Sequence, residues 1–241
     1  MSHRIGITER GDAGIHFEWI DELDLMAMGI LITKNVNDRF IDEVLQRKDK
    51  IIVHATVTGM GGTIYEPNVP TLEKSYEQIK KLILMGMPKE QIVLRLDPII
   101  PTNDGIKTAE KVLEIFKDLG IKRCRISIMD MYPHVKRRFE NANVDIPYEG
   151  FQAPYEMISN VKKMLQKYGN IYTFETCAEN IVPEWKKACV SKTDSDILGK
   201  DIMFYRSKNQ RTGCLCPMNK SEMLNHTHRC PHQCLYCYWV D

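Results

Sequence analysis

Short apolar segments alternate with amphipathic segments along the first 176 residues. The apolar segments are rich in Ile and Val and end in polar residues, which is typical of buried parallel strands. We predict six strands from this pattern: Arg4–Glu9, Gly29–Thr33, Ile51–Thr58, Gln91–Asp97, Arg123–Asp130 and Ile171–Thr176. Six strands are too few for a closed eight-stranded barrel.

Four of the intervening segments carry apolar residues three or four positions apart, the period of a helix with one buried face. These predicted helices are Asp38–Gln46, Leu72–Leu84, Ala109–Leu119 and Tyr155–Tyr168. Gly86, Gly120 and Gly169 each follow such a segment, where glycine commonly ends a helix in the left-handed conformation. Strand, helix, glycine and strand is the order of parallel β/α units. We therefore predict an α/β fold. A partial (β/α)6 TIM-like barrel is favoured, with a doubly wound sheet as the alternative.

The alternation stops at Cys177, where the chain becomes polar and rich in cysteine. This change divides the chain into a partial barrel over residues 1–176 and a cysteine-rich extension over residues 177–241. The extension has too few apolar residues for a core of its own. We expect it to wrap the mouth of the barrel and to be stiffened by bound metal.

Polar residues follow every predicted strand at its carboxyl end, and in parallel β/α folds these ends converge on one site. They read Thr8-Glu9-Arg10, Thr33-Lys34-Asn35, Thr56-Val57-Thr58-Gly59, Arg95-Leu96-Asp97-Pro98, Ser127-Ile128-Met129-Asp130 and Phe174-Glu175-Thr176-Cys177. Each residue alone also fits a turn or a helix cap. Six polar ends together predict a binding site, although they do not name its chemistry.

Charge and hydropathy exclude several classes of partner. The 241 residues include 33 Lys and Arg against 32 Asp and Glu, a formal net charge of +1, which argues against binding a polyanion through bulk charge. No segment approaches the roughly 20 apolar residues of a membrane span, and the first residues lack the apolar core of a signal peptide. We expect a cytoplasmic, reducing location without a membrane partner, where disulfides are not favoured.

Seven of the eight cysteines lie between Cys177 and Cys237, and in a reducing compartment such clustering indicates metal. The last three, Cys230, Cys234 and Cys237, have the spacing C-x3-C-x2-C. Soft thiolates at this spacing suit one cubic iron–sulfur cluster. Three thiolates would leave one iron open to another ligand, which is the arrangement that catalysis needs.

This motif resembles the signature of radical S-adenosylmethionine (SAM) enzymes, and Tyr236-Cys237-Tyr238 is similar to the spore photoproduct lyase branch of that superfamily. The wider pattern looks still closer to an uncharacterised family with the motif at the C-terminus. The matching residues are Arg10 and Asp12; Thr33, Lys34 and Asn35; Thr56, Thr58 and Gly59; Glu66, Pro67 and Pro70; Arg95, Asp97, Pro98 and Ile99; Cys177, Ala178 and Glu179; and Gln210, Arg211, Cys214 and Cys216.

The resemblance implies an enzyme that reductively cleaves SAM at a [4Fe–4S] cluster to a 5′-deoxyadenosyl radical, which acts on an unknown substrate. It also implies an electron donor such as a flavodoxin or ferredoxin. Most radical SAM enzymes carry the three cysteines just after the first strand, where this chain has Glu9-Arg10-Gly11-Asp12. If the chemistry is the same, the tail must fold back over the mouth of the barrel.

Candidate contacts to SAM follow from position at a strand end and from charge. Lys34 or Arg95 would hold the carboxylate of SAM. The full set is Lys34, Asn35, Thr56, Thr58, Arg95, Asp97, Ser127 and Asp130. Tyr236, Tyr238 and Glu179 are the candidate catalytic residues, although both tyrosines also fit an apolar shell around a cluster.

Four further cysteines, Cys177, Cys189, Cys214 and Cys216, form a second candidate metal site. Four thiolates would close an auxiliary [4Fe–4S] cluster, which we favour, or a tetrahedral zinc site. Another zinc alternative combines Cys214 and Cys216 with His226 and His228. Free structural thiols are the last alternative.

Two classes of function compete at this point. The first is the radical SAM enzyme, acting on a small molecule or on a nucleic acid whose backbone Lys136-Arg137-Arg138 would hold. The second is a non-catalytic binding protein stabilised by iron–sulfur or zinc, with nucleic acid as one class of ligand. Formation of 5′-deoxyadenosine distinguishes them.

Overall fold

The computed structural model describes residues 3–177, 179, 181–205, 214–224 and 230–239. Seven strands lie in this part of the chain: β1 Ile5–Ile7, β2 Met28–Thr33, β3 Ile51–Thr56, β4 Ile92–Ile99, β5 Arg123–Ile128, β6 Thr173–Thr176 and β7 Lys220–Glu222. The α-helices there are α1 Trp19–Asp24, α2 Asp38–Gln46, α3 Leu72–Leu84, α4 Asn103–Phe116, α5 Pro133–Asn141, α6 Tyr155–Gln166 and α7 Lys192–Ile197. Short 3-10 helices cover Lys48–Lys50, Lys89–Gln91, Lys117–Leu119 and Pro183–Trp185.

All seven strands form one parallel sheet in the order β6-β5-β4-β3-β2-β1-β7. Strands β1 to β6 therefore lie side by side in chain order, and β7 adds to the free edge of β1. Strands β6 and β7 lie at opposite edges, so the sheet is open within the described residues. An α/β fold with parallel strands is confirmed.

The periodic pattern located most elements well. Helices α2 and α3 have the predicted bounds, whereas α4 begins earlier, at Asn103, because the hydroxyl of Thr102 accepts a hydrogen bond from Gly105 N and caps it. Gly86 and Gly120 have the expected positive φ, of 106° and 75°. Gly169 is not among the left-handed glycines, so its predicted conformation is wrong.

Four elements were not predicted. Strand β7 is only the three residues Lys-Ser-Glu, and it carries no apolar alternation. Helices α1 and α7 are only six residues long, too short to show a helical period. Helix α5 contains the basic run Lys136-Arg137-Arg138, which the sequence suggested as a contact to a nucleic-acid backbone. The prediction of six strands is therefore corrected to seven.

Helices α1 to α6 cover one face of the sheet. Because side chains alternate between the two faces of a strand, Leu31, Val53 and Leu94 point to the same face. There they join the main core with apolar residues of the helices, among them Phe40 and Phe116. This core holds the strands in register and fixes where their carboxyl ends lie.

The C-terminal segment covers the opposite face, which we call the inner face. Ile30, Ile52 and Val93 point to it and form a second core with Val190 and Ile202. The extension thus shares a core with the strands rather than building its own. This packing places Cys189 and Cys216 against the sheet, since both belong to the same cluster of buried residues.

A buried ion network fastens the extension to the inner face. The carboxylate of Glu175 in β6 accepts hydrogen bonds from Arg125 Nη2 at 2.7 Å and from Arg123 Nε at 3.1 Å. Arg123 also pairs with Asp194 of α7 at 2.8 Å, and Arg125 Nη2 donates to the carbonyl of Ala188 at 2.9 Å. Buried charges are tolerated only when they are paired in this way. Glu175, one of the polar strand-end residues expected to form the binding site, is therefore a structural anchor.

His54 of β3 is buried on the same inner face, between Ile32 and Val93 of the neighbouring strands. Neither ring nitrogen has a hydrogen-bond partner. Burial lowers the pKa of His54 well below its ordinary value, and the charges of Arg125, Arg95 and Arg123 lower it further. Since the unfolded chain binds a proton below about pH 6.5 and the folded chain does not, acid destabilises the fold through this residue.

We expect His54→Leu to weaken the loss of stability in acid. The wild-type protein should lose about 1.4 kcal/mol of unfolding free energy per pH unit through His54 below about pH 6.5. The variant should lack this contribution. Urea unfolding at several pH values measures it, with His134→Leu on α5 as a control outside the inner face. An unchanged acid slope in His54→Leu would refute the assignment.

Candidate functional site

A cavity of about 630 Å³ lies at the carboxyl ends of the strands. Residues at the ends of β1 to β6 line it on one side, and the extension lines it on the other. Of the 18 residues predicted for the site, all but Asn35 and Thr58 line this cavity. The convergence of strand ends that the fold predicts is therefore observed.

Asn35 and Thr58 serve as supports instead. The side-chain oxygen of Asn35 accepts from Gln78 Nε2 of α3 at 3.3 Å. Thr58 Oγ1 accepts from Met60 N at 3.2 Å, and its hydrogen bond to Glu66 helps to lower the pKa of that carboxylate. Both residues follow their strands in sequence, but their side chains bond to neighbouring loops and so lie outside the cavity lining.

The tail folds across the cavity and is held by the loop between β3 and α3 and by helix α5. Leu235 N donates to the carbonyl of Tyr65 at 2.9 Å, and Asn68 Nδ2 donates to the carbonyl of Pro231 at 2.8 Å. Arg138 of α5 donates to the carbonyls of Cys237 at 2.6 Å and Trp239 at 2.9 Å. These backbone contacts place the C-x3-C-x2-C loop over the strand ends. Arg138 is thereby engaged with the tail, and Lys136 pairs with Glu149 at 2.7 Å.

Asp12 joins the tail to the loop after β1. It accepts hydrogen bonds from Gly14 N at 2.8 Å and Lys34 N at 2.7 Å, and one from the hydroxyl of Thr33. Its other partner is His232 Nε2, at 2.7 Å, which lies within the cysteine loop. Burial alone would raise the pKa of Asp12, but the hydrogen bond and charge of His232, together with the hydrogen bonds from Lys34 N and Thr33, outweigh burial and lower it.

The sequence analysis did not assign Asp12 or His232 to the site. Asp12 is part of a motif of the family that the sequence resembles, and His232 lies between Cys230 and Cys234 of the C-x3-C-x2-C motif. Their pairing crosses 220 positions of the chain, and no local pattern reports a contact of that range. The available sequence signal was that Asp12 and His232 belong to polar motifs near opposite ends of the chain.

Gly14 allows this loop to approach β2 closely. A Cβ atom at position 14 would lie 2.0 Å from the carbonyl oxygen of Asn35 and 2.6 Å from Thr33 Oγ1. We expect Gly14→Ala to displace Asp12 from His232 and to lower the unfolding free energy by about 1–3 kcal/mol, as overpacking does. Thermal unfolding measures this effect. Gly169→Ala, where the nearest contact is 3.4 Å, is the control, and equal stability of the two variants would contradict the role of Gly14.

Lys34, Glu66 and Tyr236 form a buried polar cluster beside the cysteine loop. Lys34 Nζ lies 2.7 Å from Glu66 Oε1 and 2.9 Å from Tyr236 Oη, and the tyrosine hydroxyl donates to Glu66. Burial opposes the charge on Glu66, but the charge and hydrogen bond of Lys34, with the hydrogen bonds of Tyr236 and Thr58, together lower the pKa of Glu66. Burial raises the pKa of Tyr236 well above its ordinary value, and Glu66 adds to this. Tyr236 is thus neutral and locked in place.

Arg95 and Asp97 form a second pair on the floor of the cavity. Arg95 Nε lies 2.7 Å from Asp97 Oδ2, and Ser127 donates to the other oxygen of Asp97. Burial would raise the pKa of Asp97, yet Arg95, the hydrogen bond from Ser127 and the charge of Lys34 together outweigh burial and lower that pKa. Arg95 keeps one buried nitrogen, Nη1, without a hydrogen-bond partner. Lys34 and Arg95, the predicted cations of the site, are therefore each paired with a carboxylate.

The remaining predicted contacts lie around these pairs. Thr56 and Asp130 line the cavity, and the carboxylate of Glu179 accepts from Ile128 N at 3.1 Å. Tyr238 is half exposed, with its ring 5.2 Å from that of Trp239. The guanidinium of Arg10 lies 5.4 Å from the centre of the Trp239 ring.

Cys230, Cys234 and Cys237 all line the cavity. Burial raises the pKa of Cys234 to about 12, although the charge of Lys34 acts in the opposite direction. The three thiols do not form a group within 4.8 Å of one another among the described residues. Thiolates of one tetrahedral ion lie about 3.8 Å apart when each metal–sulfur bond is about 2.3 Å. The wider spacing suits a cluster in which each thiolate binds a different iron.

Cys177, Cys189 and Cys216 form a tighter group, which we call the inner thiols. Their sulfur atoms all lie within 4.8 Å of one another. A hydrogen bond with Cys177 raises the pKa of Cys189 to about 12, and burial contributes. Such thiols release their protons when a metal binds. The fold therefore assembles a potential metal site from the end of β6 and two distant parts of the extension.

Cys214, the fourth predicted ligand, lines the cavity but lies outside this group. It accepts a hydrogen bond from Cys216 N at 3.5 Å through its sulfur. The set of four thiols predicted from sequence is thus a set of three in the structure. Ala178, Gln210, Arg211, His226 and His228 lie outside the described residues, and with them the alternative zinc site.

Comparison with known proteins identifies the family. The chain belongs to the family described as domain of unknown function (DUF1848), which matches residues 22–239. No curated protein and no solved structure matches it. The match confirms a family relationship along nearly the whole chain, whereas the radical SAM superfamily and its photoproduct lyase branch stay predictions. None of the helices in the described ranges is long and apolar enough to cross a membrane.

Proposed function

Starting from this family membership, we propose that the protein is a radical SAM enzyme whose cluster is held by Cys230, Cys234 and Cys237. One observation carries the proposal. The three cysteines of the motif stand at the far end of the chain from β1, yet they line the cavity at the strand ends. The tail thus brings the motif to the place where a parallel β/α fold builds its active site.

The residues present fit a [4Fe–4S] cluster. The three thiols, which we call the terminal thiols, share one cavity and are spaced more widely than ligands of a single ion, and the positive charge of Lys34 acts on Cys230 and Cys234. A positive charge beside the thiols favours their ionised form, which is the form that binds iron. A bound cluster would supply the electron that cleaves SAM to a 5′-deoxyadenosyl radical.

The chain's own residues would bind and orient SAM. Lys34 adjoins the terminal thiols and would share its ammonium between Glu66 and the carboxylate of SAM. Thr56 and Ser127 offer hydroxyl groups for the ribose, and Asp130 offers a carboxylate for the ammonium of SAM. Tyr236 holds Lys34 and Glu66 in position, and Tyr238 covers the mouth of the cavity beside Trp239. In this proposal Tyr236 positions the loop rather than reacting.

The cavity also bears on the substrate and on the fold. Its volume of about 630 Å³ falls in the range of small-molecule sites, about 300–1,000 Å³, and so favours a small molecule over a nucleic acid. Strands β1 to β6 follow chain order without the reversal of a doubly wound sheet. That order supports a partial (β/α)6 TIM-like barrel. A flavodoxin or ferredoxin remains the proposed electron donor.

The test is cleavage of SAM by the reduced protein. Protein reconstituted with iron and sulfide without oxygen, then reduced with dithionite, should form 5′-deoxyadenosine and methionine from SAM. Cys124→Ala is the control, because Cys124 is buried on the helical side of β5 and does not line the cavity, and it should retain the reaction. A protein with a full cluster and bound SAM that forms no 5′-deoxyadenosine would refute the proposal.

A specific observation also favours the second candidate, a metal-stabilised binding protein. The inner thiols connect β6 with two segments of the extension that pack on the inner face. Metal at that site would stabilise the fold without radical chemistry. Loss of folding on removal of metal, combined with absence of SAM cleavage, would support this candidate.

A further inference from the structure

We infer that Cys177, Cys189 and Cys216 bind a single thiophilic metal ion whose fourth position is open to the cavity, where it binds the carboxylate of a small molecule. This inference does not depend on a cluster at the terminal thiols. It replaces the auxiliary [4Fe–4S] cluster expected from sequence with a mononuclear site.

The spacing of the inner thiols carries the first step. Sulfur atoms bound to one tetrahedral zinc ion lie about 3.8 Å apart, as metal–sulfur bonds of about 2.3 Å require. The sulfur atoms of all three pairs of inner thiols lie within 4.8 Å of one another, which is close to that value. In a cubic cluster each thiolate binds a separate iron. The distance between two of these sulfur atoms then also includes the distance between two irons, so it is larger than at a single ion. The inner thiols therefore match one ion better than a cube.

The chemistry of the ligands indicates the ion. Thiolates are soft ligands, and zinc is the divalent ion most often bound by cysteine sets with tetrahedral geometry. Structural zinc sites have four protein ligands, whereas sites with three protein ligands keep one position for water or substrate. Cys214 does not lie within the group. Three ligands from the described residues therefore predict an open position.

The surroundings of the inner thiols carry the second step. Arg95 and Arg125 are direct neighbours in the parallel register of β4 and β5, and both line the cavity with the three thiols. Arg95 acts electrostatically on Cys189, and Arg125 acts on both Cys177 and Cys189. The two guanidinium groups therefore lie beside the proposed ion.

Both guanidinium groups keep unused donors. Arg125 is only 2% exposed, yet its Nε and Nη1 atoms have no hydrogen-bond partner, and neither does Nη1 of Arg95. Buried donors of this kind are costly unless something accepts their hydrogen bonds. Guanidinium groups match carboxylates in geometry and charge. A carboxylate bound to the ion would accept these hydrogen bonds and satisfy both arginines.

Net charge alone does not select an anionic ligand. Three thiolates and one divalent ion carry a net charge of −1, and each nearby cation already has one carboxylate partner: Asp97 for Arg95, Glu175 for Arg125 and Glu9 for Lys220. The recognition of the ligand must therefore come from the directed, unused N–H groups of Arg95 and Arg125 rather than from net charge. That requirement selects a planar carboxylate over a diffuse anion.

Cobalt(II) substitution tests the site directly. The triple variant Cys230→Ala, Cys234→Ala, Cys237→Ala removes the terminal thiols, so any ion bound in the full chain belongs to the inner thiols. We expect one cobalt per chain, with sulfur-to-cobalt charge-transfer bands and the d–d bands of a tetrahedral ion. Acetate, as the probe carboxylate, should shift the d–d bands in a saturable manner. Arg125→Lys should weaken acetate binding about tenfold or more, as loss of a charge-assisted hydrogen bond predicts.

Controls separate the possible outcomes. Arg47→Lys changes an arginine on the surface of α2 that pairs with Glu43, and it should leave acetate binding unchanged. Because Arg125 is buried in an ion network, its replacement also disturbs contacts that stabilise the fold. Arg95→Lys therefore provides a second test, through the unused Nη1 donor of Arg95. X-ray absorption of zinc in the wild-type chain provides an independent readout, with three sulfur ligands and one lighter ligand expected.

Three results would overturn the inference. They are iron and sulfide at the inner thiols in place of a single ion, a fourth sulfur ligand that disappears in Cys214→Ala, and a cobalt spectrum insensitive to acetate. None of these results would affect SAM cleavage at the terminal thiols. Failure of SAM cleavage would likewise leave the cobalt experiment intact, so the two proposals fail separately.

Discussion

Replacing Cys234 by alanine is expected to reduce both iron binding at the terminal thiols and formation of 5′-deoxyadenosine to background. Each of the three thiolates would hold a different iron of the cluster, so the loss of one leaves two iron positions open. The charges of Lys34 and Glu66 both act on the thiol of Cys234. Iron and sulfide content, measured beside SAM cleavage, tests the expectation.

The control for this variant must show that the tail still folds. Cys234→Ala leaves intact the contacts of Asp12 with His232 and of Arg138 with the carbonyls of Cys237 and Trp239. We therefore expect an unchanged circular dichroism spectrum and an unchanged ion at the inner thiols. Full iron content in Cys234→Ala would contradict the assignment of the cluster to this loop.

The largest effect on stability is expected from Glu175→Ala. Glu175 is fully buried and is the partner of both Arg123 and Arg125. Its removal leaves two buried guanidinium groups without their shared carboxylate, which costs about 3–5 kcal/mol. The contacts of Arg125 with Ala188 and of Arg123 with Asp194 would also weaken. Urea unfolding should show the loss.

Glu114→Ala provides the matched control for that loss. Glu114 pairs with Lys117 on the surface of the protein, and exposed ion pairs contribute about 1 kcal/mol or less. We expect this variant to unfold nearly as the wild type does. If Glu175→Ala were as stable as Glu114→Ala, the ion network would not anchor the extension.

The period of the hydrophobic residues was sufficient to locate strands β1 to β6 and the four helices α2, α3, α4 and α6. It failed where tertiary pairing alone defines an element. The residues of β7, Lys220 to Glu222, form a strand only because β1 offers them a free edge. Helix α5 has only two buried residues, Val135 and Phe139, so its sequence looks like a charged surface loop.

The strand-end rule located the cavity but not the partners inside it. Lys34 and Arg95 were chosen as free cations, yet Glu66 and Asp97 neutralise them. Glu66 belongs to the loop after β3, and no spacing in the sequence indicates that this loop returns to Lys34. The inner thiols are likewise joined by packing across the sheet, so the sequence predicted their metal-binding character but included Cys214 in the set.

The metal content of the wild-type chain tests the account most directly. Protein reconstituted with iron and sulfide without oxygen, in the presence of zinc, should contain about four iron, about four sulfide and one zinc per chain. This composition would match a cluster at Cys230, Cys234 and Cys237 and a single ion at the inner thiols. Zinc without iron or sulfide would contradict the central claim and leave a metal-stabilised binding protein.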